Sequence, residues 1–98
     1  MHRVEWSASA NDDLAALFDY VAEHTSLWDA DNLCQRLLSS TDKLAEFPRL
    51  YEAAPEYGEG VRRISLAGHH VLYEVDDQVQ ICTVLAVVSQ RQQAWGVS

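Results

Sequence analysis

An α+β fold, ordered β-α-α-β-β-β with a helical hairpin on a mostly antiparallel four-stranded sheet, is what the hydrophobic spacing of this chain predicts. Three observations carry it. Apolar residues recur at helical intervals between Ala10 and Phe47, with one break around residues 24–26. Two shorter apolar runs, "VRRISL" and "HHVLYEV", flank the pair Ala67-Gly68, a two-residue hairpin turn. A further run, "VQICTVLAVV", follows the polar turn "DDQ". One strand, two helices and three strands in that order form a layered α+β domain.

Each element has its own local reason. In "HRVEW", His2, Val4 and Trp6 share one face, as in a short strand. Ser9 is placed to cap the first helix, with Asp12 and Asp13 in its first turn, where the positive end of the helix dipole favours acids. Ala10, Leu14, Leu17, Phe18 and Val21 form one apolar stripe, and the helix fades near His24. Ser26 is a second cap, with Asp29 three residues on. Ala30, Leu33, Cys34, Leu37, Leu38, Leu44 and Phe47 then keep the helical beat to Pro48, because the residue before a proline avoids the helical region. So short a link between the helices predicts an antiparallel hairpin. "PRLYEAAPEYGEG" reads as a loop. A turn at Ala67-Gly68 pairs Leu66 with His69, Ile64 with Val71 and Arg62 with Tyr73 on one face, and Ser65 with His70 and Arg63 with Leu72 on the other. From Val84 to Val88 both faces are apolar, which predicts a central strand covered on both sides.

The totals narrow the class of function. The 98 residues suit a single domain spanning 1–98. No apolar run approaches the roughly 20 residues of a membrane helix, and "MHRVEWSASANDD" lacks the apolar core of a signal peptide, so the expected location is the cytoplasm. Cys34 and Cys82 are too few for a disulfide framework and form no CxxC pair, so both are expected to be small buried residues. The net charge of −8 is uneven. The acidic excess lies in residues 1–60, where the only bases are Arg3, Arg36, Lys43 and Arg49, while residues 61–98 balance. A generic duplex binder needs a basic footprint to displace counterions, and this chain has none.

The polar residues of the hairpin give little sign of chemistry. His69 and His70 point to opposite faces of a strand and cannot grip one metal ion, and no carboxylate or thiol lies at useful spacing, so neither a metal nor a cofactor is expected. His2 and His24 are isolated in sequence. No serine, Ser65 included, has a recognisable base beside it, and GxSxG, P-loop and HExxH motifs are absent. Arg62 lies on the apolar parity, within reach of a cation–π contact with Tyr73. It suits either a snorkelling edge residue or a holder of a phosphate or partner carboxylate. Arg63 points the other way. Arg91 follows the last strand, as a solvated tail residue or a partner contact, and Trp95 is an aromatic in a polar tail, placed either to cover the sheet or to anchor a partner.

Taken together these segments resemble a known family. "VEWSASANDDLAALFDYVAEHT" is similar to the opening of the ParE/RelE toxin superfamily (the plasmid-stabilisation type): a strand ending in Trp-Ser, a helix with Asp-Leu, then Asp-Tyr. "LAEFP" resembles the end of its second helix, and "GVRRISLAGHHVLYEVDDQVQICTVLAVVSQRQ" resembles its closing strands, so that residues 4–93 are covered. The resemblance implies the toxin of a bacterial toxin–antitoxin pair, neutralised by a small ParD-like antitoxin. ParE-like members poison DNA gyrase and RelE-like members cleave mRNA on the ribosome. RelE-like enzymes use lysines and arginines on the strands and a His or Tyr near the C-terminus. Here the strands carry no lysine, Ser89 stands where many relatives have a His, and Gln92 and Gln93 follow Arg91. The ParE-like branch, a gyrase inhibitor and not an enzyme, is therefore the expectation. A ribosome-dependent mRNA endonuclease and a non-toxic interaction module are the alternatives. Arg62, Arg63, Tyr73, Arg91 and Trp95 are the expected surface for target or antitoxin. The acidic chain predicts an antitoxin segment rich in Arg and Lys, added as a helix beside the hairpin or as a strand at the sheet edge.

Overall fold

The computed structural model describes residues 1–90, and residues 91–98 lie outside the description. Strand β1 (Arg3–Trp6) leads into helices α1 (Ala8–His24) and α2 (Leu27–Ser40). Strands β2 (Arg62–Leu66), β3 (His69–Asp76) and β4 (Ile81–Ser89) follow. The sheet order is β1-β4-β3-β2, with β1 parallel to β4 and the other pairs antiparallel. The expected α+β architecture holds, and β4 is central, between β1 and β3.

The hairpin register is the one the turn dictates: Leu66 opposite His69, Ser65 opposite His70, Ile64 opposite Val71, Arg63 opposite Leu72 and Arg62 opposite Tyr73. Ala67 and Gly68 both take positive φ, 51° and 80°, as the tight turn of a right-twisted hairpin requires. Pairing of β3 with β4 slips once. Leu72 faces Ala86 but Tyr73 faces Val84, so Leu85 is an extra residue. This bulge changes the phase of β4. Cys82, Val84 and Val87 join the helix-side core, whereas Ala86 and Val88 join a second cluster with Leu72 and Val61 on the other face. Tyr57, from a short 3-10 turn at Pro55–Tyr57, packs over that second cluster. The apolar run of β4 is thus explained by cover on both faces.

Three local expectations are corrected. The first helix begins two residues earlier than expected. Its cap is Ser7, not Ser9: the Ser7 Oγ accepts from the Ala10 N–H at 3.1 Å and donates to the Leu85 carbonyl. Asp12 and Asp13 therefore fall beyond the first turn. Asp13 instead accepts the Val87 N–H at 3.0 Å, on the side of β4 left open where β1 ends at Trp6 opposite Val84. The second helix, capped by Ser26 as expected, stops at Ser40 rather than running to Pro48. The hydroxyls of Ser40 and Thr41 turn back onto the Leu37 and Leu38 carbonyls and compete with the helical ladder. A 3-10 turn, Asp42–Ala45, follows, and Phe47 is left 56% exposed. Lastly, the stretch after Pro48 is not a free loop. Ala53 bridges Arg62, the Ala54 N–H donates to the Val61 carbonyl and the Arg63 N–H to that of Glu52. This covers part of the outer edge of β2.

Leu37, Leu44, Ile64, Val71, Tyr73, Cys82 and Val84 fill the main core, between helices and sheet. Both cysteines are buried and free, as expected.

Candidate interaction site

The five candidate residues do not form one surface. Arg62 stands on outer strand β2 on the helix side, and its Nη1 donates to the Tyr51 carbonyl at 2.7 Å. Tyr73 lies opposite it, as the register requires, but it is fully buried and its hydroxyl donates to the Pro48 carbonyl at 2.9 Å. Burial raises the phenol pKa, so the ring stays protonated and donating. These two side chains hold the segment from Pro48 to Tyr51 against the sheet. Arg63 projects to the opposite face, where Nε binds Glu52 and Nη1 binds Glu56, each at 2.7 Å. The Glu52 hydrogen bond is the main reason its pKa is raised. The three described candidates therefore all fasten the segment that follows Pro48. Arg91 and Trp95 lie outside the described residues.

The histidines behave as the strand parity predicted, with two additions. His69 Nδ1 meets the Ala67 carbonyl, while His70 Nδ1 lies 2.9 Å from Ser65 Oγ on the other face. Ser65 does have a base beside it, contrary to the reading from sequence. Cross-strand pairing brings the two together, five residues apart across the turn. Burial first, and then the positive charge of Arg63, lowers the His70 pKa and keeps the ring neutral. Among the described residues no third group hydrogen-bonds the other ring nitrogen of His70, so nothing orients it as the base of a nucleophilic serine. His2, isolated in sequence, meets Asp77 at 3.1 Å, and Arg49 grips the same carboxylate with two bonds, at 3.1 and 2.7 Å. Arg49 and then His2 hold the Asp77 carboxyl below its usual range. This node joins the N-terminus, the post-Pro48 segment and the β3–β4 turn.

Among the described residues no group of three or more potential ligands converges for a metal ion. No helix of the described residues is long and apolar enough to cross a membrane. The open part of the sheet face, away from the helices, is acidic. Glu5, Thr83 and Glu74 form a row across β1, β4 and β3, and a shallow depression there also takes in Asp76 and Asp77.

Sequence reading missed two surfaces. Leu27 and Trp28, in the first turn of α2, are 70% and 73% exposed. Phe47 and Leu50 flank an open apolar groove with Asp42, Lys43 and Glu46. The cluster of Ser39, Ser40 and Thr41 was the available signal that the helix stops short of Phe47.

Comparison with known proteins places these features in a family. A family model for the ParE toxin of type II toxin–antitoxin systems matches residues 4–94. No curated protein matches the chain. Among solved structures it is similar to the chromosomal ParDE toxin–antitoxin system from P. aeruginosa, at 19% identity and a TM-score of 0.79, covering 91% of this chain and 96% of that one. It is also similar to the E. coli RelBE toxin–antitoxin complex, at 14% identity and a TM-score of 0.69, covering 94% of this chain and 100% of that one. The isolated E. coli RelE toxin gives 14% identity and a TM-score of 0.68, over 95% of this chain and 88% of that one. At these identities the structural matches establish the fold.

Proposed function

The chain belongs to the family of ParE toxins of type II toxin–antitoxin systems, and on that premise we propose that it arrests growth by binding DNA gyrase, without chemistry of its own, until an antitoxin binds and silences it. One observation supports the choice of gyrase over RNA cleavage. The strand residues that a nuclease reading would enlist, Arg62, Arg63 and Tyr73, are already engaged by the protein's own backbone and carboxylates. Cleavage through a 2′-hydroxyl needs a base, an acid and cations free to hold the phosphate. Arg62 and Arg63 point to opposite faces, Arg63 is held by two glutamates, and the Tyr73 hydroxyl is spent on Pro48. The acidic open sheet face would repel an RNA backbone.

A second reading keeps one observation of its own. His70, a neutral imidazole beside Ser65 and near Arg63, lies on the sheet face away from the helices and could act as a general base. Pulse labelling after induced expression in bacteria separates the readings. Thymidine incorporation falling first supports gyrase. Amino-acid incorporation falling first, with message cut at the ribosomal A site, would sink the gyrase reading in favour of the endonuclease. Undiminished synthesis with soluble, folded protein would make the chain a non-toxic interaction module of this fold.

A further inference from the structure

The far end of the helical hairpin carries side chains that the fold does not use. The helix-side core takes Ala10, Leu14 and Leu17 from α1, and Leu33 and Leu37 from α2. The seven residues of α1 from Phe18 to His24 therefore extend about 10 Å past its last core contact. The link Thr25-Ser26 joins them to the first turn of α2. At this tip Tyr20, Leu27 and Trp28 are exposed, the last by 73%. Tyr20 and His24 stack face to face, with ring centroids 4.0 Å apart, and the His24 Nδ1 lies 2.8 Å from the Tyr20 carbonyl. Two rings already fixed against each other lose little freedom when a partner covers them.

The charge around the tip selects what covers it. Between Arg3 and Arg36 the chain has no Lys or Arg. Asp19, Glu23, Asp29 and Asp31 are exposed beside the apolar residues, and none is in an ion pair among the described residues. A second copy would bring the same carboxylates against these. A nucleic acid or an anionic bilayer would bring phosphates. A protein surface that sets arginines or lysines around an apolar recess complements both features, and an arginine there can also lie over the Trp28 ring.

We propose that the hairpin tip is the surface with which the chain seats on its target. Leu27 and Trp28 enter an apolar recess, the Tyr20–His24 stack rests on its margin, and cations on the rim meet Asp19, Glu23, Asp29 and Asp31. That the target is gyrase rests on the proposed function; the chemistry of the recess does not. The two agree, because an enzyme that handles duplex DNA must present cations along the path of the phosphates.

Gyrase holoenzyme is immobilised and the full chain is passed over it. Wild type should bind. Trp28→Ala should weaken binding about thirtyfold, as loss of a central aromatic anchor does, and Trp28→Phe should recover most of it. The triple variant Asp19→Asn, Glu23→Gln, Asp31→Asn should weaken binding about tenfold and flatten its dependence on salt. All should unfold close to the wild-type temperature, since these side chains are exposed. If wild type and Trp28→Ala bind gyrase equally, the tip inference fails and the gyrase reading stands. A probe independent of gyrase decides the tip where wild type does not bind. The chain, labelled for NMR, is titrated with a peptide of leucines flanked by arginines, and with its citrulline counterpart. Shifts centred on Tyr20, His24, Leu27 and Trp28, weaker with citrulline and lost in Trp28→Ala, would uphold the tip while the gyrase reading fails. Shifts centred on Glu5, Glu74 and Thr83, no shifts, or self-association of the chain that Trp28→Ala abolishes would each overturn it.

Discussion

Ala67 occupies a left-handed backbone position, φ 51°, that favours Asn or Gly. Replacing Ala67 with Asn should stabilise the hairpin by about 0.5–1 kcal/mol, read as a higher urea midpoint with an unchanged slope. Tyr73 presents the opposite case, a polar tip used wholly inside. Tyr73→Phe should lower stability by about 1 kcal/mol, since the Pro48 carbonyl loses its donor, and should leave toxicity per folded molecule unchanged. A loss of toxicity at full stability would return Tyr73 to the interaction surface. His70 makes stability depend on pH. Its folded pKa lies below its unfolded value, so the unfolded chain takes up the proton first as pH falls. The stabilisation from neutral His70 is complete above about pH 6.5 and declines as pH drops through the lower, folded value. His70→Gln should flatten that part of the pH dependence of the urea midpoint.

At the scale of elements, both ends of the helical hairpin are fixed by hydroxyls that also reach other elements. Ser7 caps α1 and binds the bulge carbonyl of Leu85, so helix start and strand bulge are set together. Thr41, 2% exposed, ends α2 and accepts the Trp6 indole N–H at 3.3 Å, tying the helix end to β1. Thr41→Val keeps the shape and removes the acceptor, so it should cost about 1–2 kcal/mol in a denaturant melt. A neutral result would show that water reaches the indole. The bulge at Leu85 lets a strand with no simple alternation bury residues on both faces. Tyr57 and Val61, from residues 52–61, then pack on the far face, and Arg63 holds Glu52 and Glu56 of the same stretch.

At the scale of the whole molecule, the unevenness of the charge matters more than its total. Acids dominate the open sheet face, while Arg36 and Lys43, which have no ion pair among the described residues, line one groove beside α2. A gel-shift assay at low salt should show no binding of duplex DNA by the isolated chain, because no continuous basic footprint exists to release counterions. Retardation that weakens steeply with added salt would contradict this distribution of charge.

The sequence by itself determined the order of elements, the hairpin register, the Ser26 cap, the centrality of β4 and the family. These follow from period, turn chemistry and sequence order, which are local. Only the tertiary structure decided the use of the polar residues. Arg62, Arg63 and Tyr73 read as a partner surface because strand parity says which way a side chain points and not what waits there. What waits is the segment after Pro48, whose carbonyls and glutamates engage all three. His2 on Asp77 is likewise a contact made across the fold, whereas the hairpin register already placed Ser65 opposite His70 and the structure adds the hydrogen bond between them. The helix stop at Ser40 had a signal in Ser39, Ser40 and Thr41, but the apolar beat through Leu44 outweighed it. That beat persisted because Leu44 is still buried, from a 3-10 turn instead of a helix. Side-chain pairing between distant segments depends on where the chain returns, and that is set by packing rather than by any local pattern.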